Sequence, residues 1–163
     1  MVGGASVVSI LQRFMGWEVT CIDEFEVEKG MLKRFAIAVG DPNPVYYDEA
    51  FARTTAYGGI IAPPTFLFEW NHHRHSAMPH EELRSTFSSL ESQPRILRGG
   101  TEYEFFQPVR PGDIIKTKSR ITDVYEKQGK VFGQMVFMAC ETNYFNQKEE
   151  SLGKSKETMI ILP

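Results

Sequence analysis

GDPNPVYYDEAFARTTAYGGIIAPP, residues Gly40 to Pro64, places two turn signals, a proline-bracketed polar pair, a short helical pattern and a Gly-Gly/Pro-Pro junction in one run. Ordinary connecting loops rarely need that density. Gly40 stands where a helical pattern ends and predicts a left-handed closing residue, which puts Asp41 where the chain leaves the helix. Pro42 and Pro44 fix their own φ and restrict the residues before them, and Asn43 is a residue type that bonds its own backbone in turns. The turn is therefore expected to be stiff. Asp48 or Tyr47 then caps a short helix through about Tyr57, which Gly58-Gly59 stops. Ile60-Ile61-Ala62 leads into Pro63-Pro64, and proline suits the first turn of a second helix, Thr65 to about His75.

Outward from this stretch, Cys21 to Val27 (CIDEFEV) alternates as a half-buried strand does. Glu28 to Val39 carries Leu32, Phe35, Ala36 and Val39 on one helical face, with Lys33 and Arg34 on the other. The helix TFLFEWNHHRH, from Thr65, is apolar on nearly all sides until Asn71, the pattern of a helix buried centrally. Ser76 to Arg98 is polar and irregular and is expected to be a long loop. The last third is β-rich: Thr101 to Phe106, Ile114 to Tyr125, Val131 to Tyr144 and Lys156 to Leu162, separated by short turns and expected to form an antiparallel meander. These elements specify an α+β fold, a sheet wrapped round one central helix. Residues 1–163 are expected to be a single domain, with 1–15 an N-terminal extension whose apolar residues form a short docking helix.

Composition bounds the function. A 163-residue chain with 42% hydrophobic residues buries a real core, and a net charge of −3 without a basic cluster argues against nucleic acid. Only Cys21 and Cys140 are present, which is the cysteine usage of a reducing cytosol, and a cytoplasmic location is expected. The N-terminal run lacks a basic start and is broken by Gln12 and Arg13, so neither a signal peptide nor a membrane span is expected.

GDPNPVYY, the APPTF that ends the stretch, the apolar helix and the later EFFQPVRPGDII together resemble the MaoC-like (R)-specific enoyl-CoA hydratase/dehydratase family of the hot-dog fold, and its MaoC-type N-terminal dehydratase subgroup. The resemblance covers roughly Gly16 to Pro163. It implies a hot-dog domain that dimerises with a second hot-dog unit, and an acyl-thioester substrate carried on coenzyme A or acyl carrier protein, with no further cofactor. The family motif reads Gly-Asp-x-Asn-Pro-x-His, its Asp and His acting on the water added to or lost from the double bond. Gly40, Asp41, Asn43 and Pro44 match, while Tyr46 stands in the place of His. That departure is chemical, because tyrosine, with a pKa of about 10, is ionised only at about the 10⁻³ level at pH 7. A positioned acid or base contributes roughly 10²–10⁴ in rate. In active members the central helix begins with His-Gly, whose backbone N–H polarises the thioester carbonyl; Pro63-Pro64 occupy that place, and proline has no N–H.

The catalytic candidates are thus Asp41, Asn43 and Tyr46, and the substrate-binding candidates are Gly59, Ile60, Pro63, Pro64, Thr65 and Arg98. Asp41 also reads as a turn carboxylate, and Tyr46 as packing. The two departures imply a catalytically impaired, substrate-shaping subunit of a homo- or heterodimer or tetramer, paired with a MaoC-like partner that keeps Asp and His. The alternatives are a self-sufficient homodimeric hydratase, a hot-dog thioesterase using Glu69, and a non-enzymatic acyl-thioester binding module. Arg95, Arg98, Arg110, Lys116 and Lys118 either favour a carrier's phosphates or form a solvated face. Gly99-Gly100 permits a bulge or a close backbone approach. His72, His73, His75 and His80 lack a third ligand at metal spacing, so no metal site is expected.

Overall fold

In a computed structural model, the chain is described at residues 7–22, 26–68, 85, 88 and 95–162. The element order is α1 (Val7–Gln12), β1 (Glu18–Ile22), α2 (Lys29–Val39), a 3₁₀ turn (Pro44–Tyr46), α3 (Glu49–Thr54), β2 (Arg95–Phe105), β3 (Lys116–Gly129), β4 (Gly133–Phe145) and β5 (Ser151–Leu162). The strands form one five-stranded antiparallel sheet in the order β1-β3-β4-β5-β2. The fold is the α+β hot-dog expected. No helix among the described residues is long and apolar enough to cross a membrane.

The sheet is not the simple meander that short turns suggest. β3, β4 and β5 follow one another, but β2 pairs with β5, so the segment between β2 and β3 must cross the end of the sheet. Hydrogen bonds tie that crossing down. Gln107 N–H donates to Leu152 O at 3.2 Å, Ala62 N–H to Val109 O at 2.8 Å, and Val27 N–H to Asp113 O at 2.8 Å. Local turn residues carry no information about which edge a strand joins, and here these long-range bonds decide it.

Strand limits also move. β1 is Glu18–Ile22 rather than Cys21 to Val27, and Val27 instead lies buried beside the 110–113 turn. β2 begins at Arg95, inside the stretch expected to be loop. The Gly99-Gly100 expectation holds, as the β2–β5 register shifts between Arg98 and Gly100. A Cβ at Gly99 would stand 3.0 Å from Ile160 Cγ1 and 3.1 Å from Thr158 O, so the bulge is a close approach as well.

Two apolar clusters hold the layers together. One joins Leu32 and Ala36 of α2 to Val45, Ile60, Ile61, Phe66, Leu67, Phe68, Tyr144 and Leu152; the other seats Ile10 and Leu11 of α1, with Phe14 just beyond it, on Ile121, Val136, Met138 and Met159. The N-terminal extension therefore docks as expected. The α2 face differs at its end: Val39 is exposed, because the chain turns away at Gly40 before the last helical residue reaches the core. The central helix is described at residues 66–68, all buried, and its expected continuation to His75 lies outside the described residues. Its start sits hard against the sheet. A Cβ at Gly153 would meet Glu104 O at 2.9 Å and Leu67 Cδ2 at 3.2 Å, so glycine lets the helix approach β5. Phe68 stacks on Tyr103 at 4.1 Å between ring centroids and meets Tyr144 edge-on at 5.1 Å.

Candidate functional site

α2 ends in a Schellman closure. Gly40, at φ 72°, donates its N–H to Ile37 O at 3.1 Å, and the Asp41 N–H reaches back to Ala36 O at 2.9 Å. The residue after the helix is thereby fixed in direction. Asp41 Oδ1 accepts the Asn43 N–H at 3.1 Å, and Asn43 Oδ1 accepts the Val45 N–H at 3.1 Å, two successive side-chain-closed turns that lead into the 3₁₀ turn. The Tyr47 hydroxyl donates to Pro42 O at 2.9 Å and braces the same loop from outside. Asp48, not Tyr47, caps α3, with its Oδ1 3.0 Å from the Phe51 nitrogen, and that helix closes at Thr55 rather than near Tyr57.

Within this scaffold Tyr46 is 6% exposed, with Asp41 and Tyr57 close enough to act on its phenol. Burial raises its pKa above 10.0, and the neighbouring Asp41 carboxylate and Tyr57 raise it further. At neutral pH the phenol keeps its proton. A His at this position would trade protons near pH 7; this phenol does not.

The three candidates Asp41, Asn43 and Tyr46 are brought together, whereas the remaining candidates separate. Asp41 borders a groove of about 390 Å³ with Lys33, Ile37, Pro42 and Tyr47. Pro63 and Pro64 line a different cleft, of about 400 Å³, walled by Tyr57, Ile61, Leu67, Phe105, Phe106 and Leu152 and predominantly apolar. Gly59 and Ile60 line a third, of about 240 Å³, with Lys29, Glu49, Arg53, Arg110 and Pro111. Thr65 is exposed beside Pro64, its carbonyl accepting the Phe68 N–H at 3.2 Å. Arg98 lies in β2 with its Nε 2.9 Å from Glu157 of β5, engaged on the sheet.

Of the other basic candidates, Lys116 pairs with Glu149 at 2.6 Å and Lys118 lies over the Phe145 ring at 5.8 Å. Glu69, His72, His73, His75 and His80 lie outside the described residues. Sequence reading missed Lys29, Glu49 and Arg53, whose approach to Arg110 joins three elements far apart in the chain and leaves no local signal. It also missed Phe105, Phe106 and Leu152 as cleft walls, since only the crossing between β2 and β3 brings them to Pro63-Pro64.

Comparison with known proteins agrees with this architecture. A family model described as "FAS1-like, dehydratase domain region" matches residues 13–154. Relatives include a UPF0336 protein of Streptomyces avermitilis, 33% identical over 72% of this chain and 75% of that protein. A "probable enoyl-CoA hydratase alpha subunit" of Thermomonospora curvata is 26% identical over 80% of this chain and 43% of its own length. Among solved structures, the ChsH1-ChsH2 complex from Mycobacterium tuberculosis superposes with a TM-score of 0.74 at 19% identity, covering 96% of this chain and 88% of that one. The MaoC-like dehydratase from Rhodospirillum rubrum superposes with a TM-score of 0.68 at 21% identity, covering 91% and 92%. With the family model spanning most of its length and its sheet shared with the hot-dog structures, this chain belongs to the FAS1-like dehydratase domain family and has the hot-dog fold.

Proposed function

We propose that this chain is the substrate-shaping, catalytically impaired subunit of an enoyl-thioester hydratase/3-hydroxyacyl-thioester dehydratase, working with a partner that carries intact Asp and His. The observation that carries the reading is Tyr46: buried, facing Asp41, with its pKa raised by burial first, it is a neutral phenol where proton exchange at pH 7 is required. Asp41 retains its place at the turn, so the shape of the motif persists while one of its two proton carriers is gone. Pro64, on the wall of the apolar cleft, offers no N–H to polarise a carbonyl. Losing one such donor costs about 2.7–4 kcal/mol of transition-state stabilisation.

The cleft suits the retained half of the task. It is apolar and walled by aromatic and aliphatic side chains, as an acyl chain requires. It opens apart from the Asp41 groove, which supports completion of the reacting centre by a second unit. The relatives described as an alpha subunit and as a two-component complex fit such a division of labour.

The test is an assay of hydration of crotonyl-CoA and longer enoyl-CoA. The purified chain alone is expected to show negligible turnover, and activity is expected to appear on adding a MaoC-like chain carrying Gly-Asp-x-Asn-Pro-x-His from the same source. Turnover by the chain alone at the rate of a complete family member would overturn the proposal.

A further inference from the structure

We infer that the cleft between α2, α3 and the 110–111 turn is a receptor for the phosphate or pyrophosphate of the thioester carrier, an assignment that rests on the enoyl-thioester reading above. Lys29, Arg53 and Arg110 converge there against one carboxylate, Glu49, in a chain whose net charge is −3. The concentration of positive charge is local and runs against the whole. Glu49 accepts from Lys29 at 2.5 Å and from Arg53 at 3.4 Å, which holds both cations at the rim.

Arg110 is treated differently from the arginines of the sheet. Arg98 and Arg120 each meet a carboxylate, Glu157 at 2.9 Å and Glu141 at 3.0 Å. Arg110 Nη2 instead donates to the Tyr57 carbonyl at 2.9 Å, and among the described residues no carboxylate pairs with its guanidinium. A neutral acceptor orients the fork and leaves further N–H groups to donate, while the Asp113 carboxylate, which accepts the Arg110 backbone N–H at 2.7 Å, offsets part of its charge. The backbone adds to this. Among the described residues, the N–H groups of Gly59 and Ile60 donate to no protein acceptor, and both residues line the cleft. Backbone amides beside cations suit a multiply charged oxyanion.

The position gives the anion its source. Gly59-Ile60 line the cationic cleft and Ile61 to Pro64 the apolar one; Arg110-Pro111 line the first and Pro108-Val109 the second. The two clefts therefore lie end to end along the same two segments, and Tyr57 links them, lining the apolar cleft while its carbonyl accepts from Arg110. A ligand with an apolar chain at one end and a phosphate at the other fits that order. Both coenzyme A and the phosphopantetheine arm of a carrier protein have it.

The test measures binding of three probes to the full chain: crotonyl-CoA, crotonyl-phosphopantetheine, and the phosphate-free crotonyl thioester of N-acetylcysteamine. The phosphate-bearing probes are expected to bind about tenfold or more tightly than the phosphate-free one, with the advantage shrinking as salt rises. Arg110→Ala is expected to remove about tenfold of affinity for the phosphate-bearing probes while the phosphate-free probe holds. The pair Lys29→Ala with Arg53→Ala, which leaves the Arg110 to Tyr57 bond in place, is expected to do the same and serves if Arg110→Ala does not fold. Equal binding of crotonyl-CoA and crotonyl-phosphopantetheine points to a carrier-protein arm, and tighter coenzyme A to the nucleotide; either supports the receptor. Equal affinity of all three probes overturns it, as does an Arg110→Ala loss that extends to the phosphate-free probe. If no thioester binds but inorganic pyrophosphate binds in an Arg110-dependent way, the enoyl-thioester reading falls and the anion receptor stands.

Discussion

On the proposed reading, Tyr46 and Pro64 act together in one reacting centre. If they impair the unit as proposed, Tyr46→His with Pro64→Gly in the isolated chain is expected to raise hydration of crotonyl-CoA by about 10²-fold or more. Tyr46→His alone is expected to do less, because a base without a polarised carbonyl gains little, and groups acting in one transition state are not additive. Pro64→Gly is also expected to cost about 0.4–1 kcal/mol of stability through the unfolded chain. Steady-state assays of the three variants decide the matter. A folded double variant with no measurable hydration, under conditions where a complete family member turns over, sinks this account.

Among the elements, the contact between the central helix and the sheet is the tightest. Gly153→Ala would push a methyl to 2.9 Å from Glu104 O and 3.2 Å from Leu67, neither of which is the free end of a surface side chain. The expected loss is about 1–3 kcal/mol in chemical denaturation, as for other overpacked cores. An unchanged midpoint would mean the helix start moves freely over β5. A second element-level prediction concerns pH. Glu141 on β4 accepts from Lys154 at 2.8 Å and Arg120 at 3.0 Å, and the hydrogen bond from Lys154, ahead of the other contributions, holds its pKa below 4.5. A carboxylate with a depressed folded pKa stabilises above its unfolded value and loses that contribution as pH falls through the folded one. Glu141→Gln is therefore expected to cost roughly 1–2 kcal/mol at pH 7, between an exposed pair and a buried pair missing one partner. The difference from wild type should narrow below about pH 4.5, and a constant difference down to pH 3 would refute the linkage.

Among the described residues, β1 and β2 are the edges of the sheet. β2 is an 11-residue edge with Ile96, Leu97 and Phe105 exposed and Phe106 exposed just beyond it, a long apolar edge that invites pairing. Pairing through this edge with a second hot-dog unit, a copy of itself or a MaoC-like neighbour, is the expected outcome. Light scattering at micromolar concentration should report a dimer or larger. Replacing Ile96 and Leu97 with lysine should shift it toward monomer with the sheet retained by circular dichroism. A wild-type monomer, both alone and with its neighbour, rules the pairing out.

What was legible in the sequence followed from local chemistry. The closure at Gly40, the turns of Asp41 and Asn43, the bulge at Gly99-Gly100 and the apolar start of the central helix each rest on a residue's own conformational preferences or on a short-range pattern, and each is in the structure where the residues place it. The α+β class was legible for the same reason, since pattern and order of elements are properties of the chain, and the hot-dog form came with the family resemblance. Tertiary structure alone decided that β2 crosses to β5, because hydrogen bonds from Gln107, Ala62 and Val27 across distant segments select the edge and no turn residue encodes it. It also decided what each cation meets. Arg98, Lys116 and Arg110 look alike along the sequence, but the sheet register sets Arg98 beside Glu157 and a distant turn sets Lys116 beside Glu149, while the crossing segment sets Arg110 against a neutral carbonyl. Coulomb energy depends on distance in space, which the chain acquires only when its long-range contacts close.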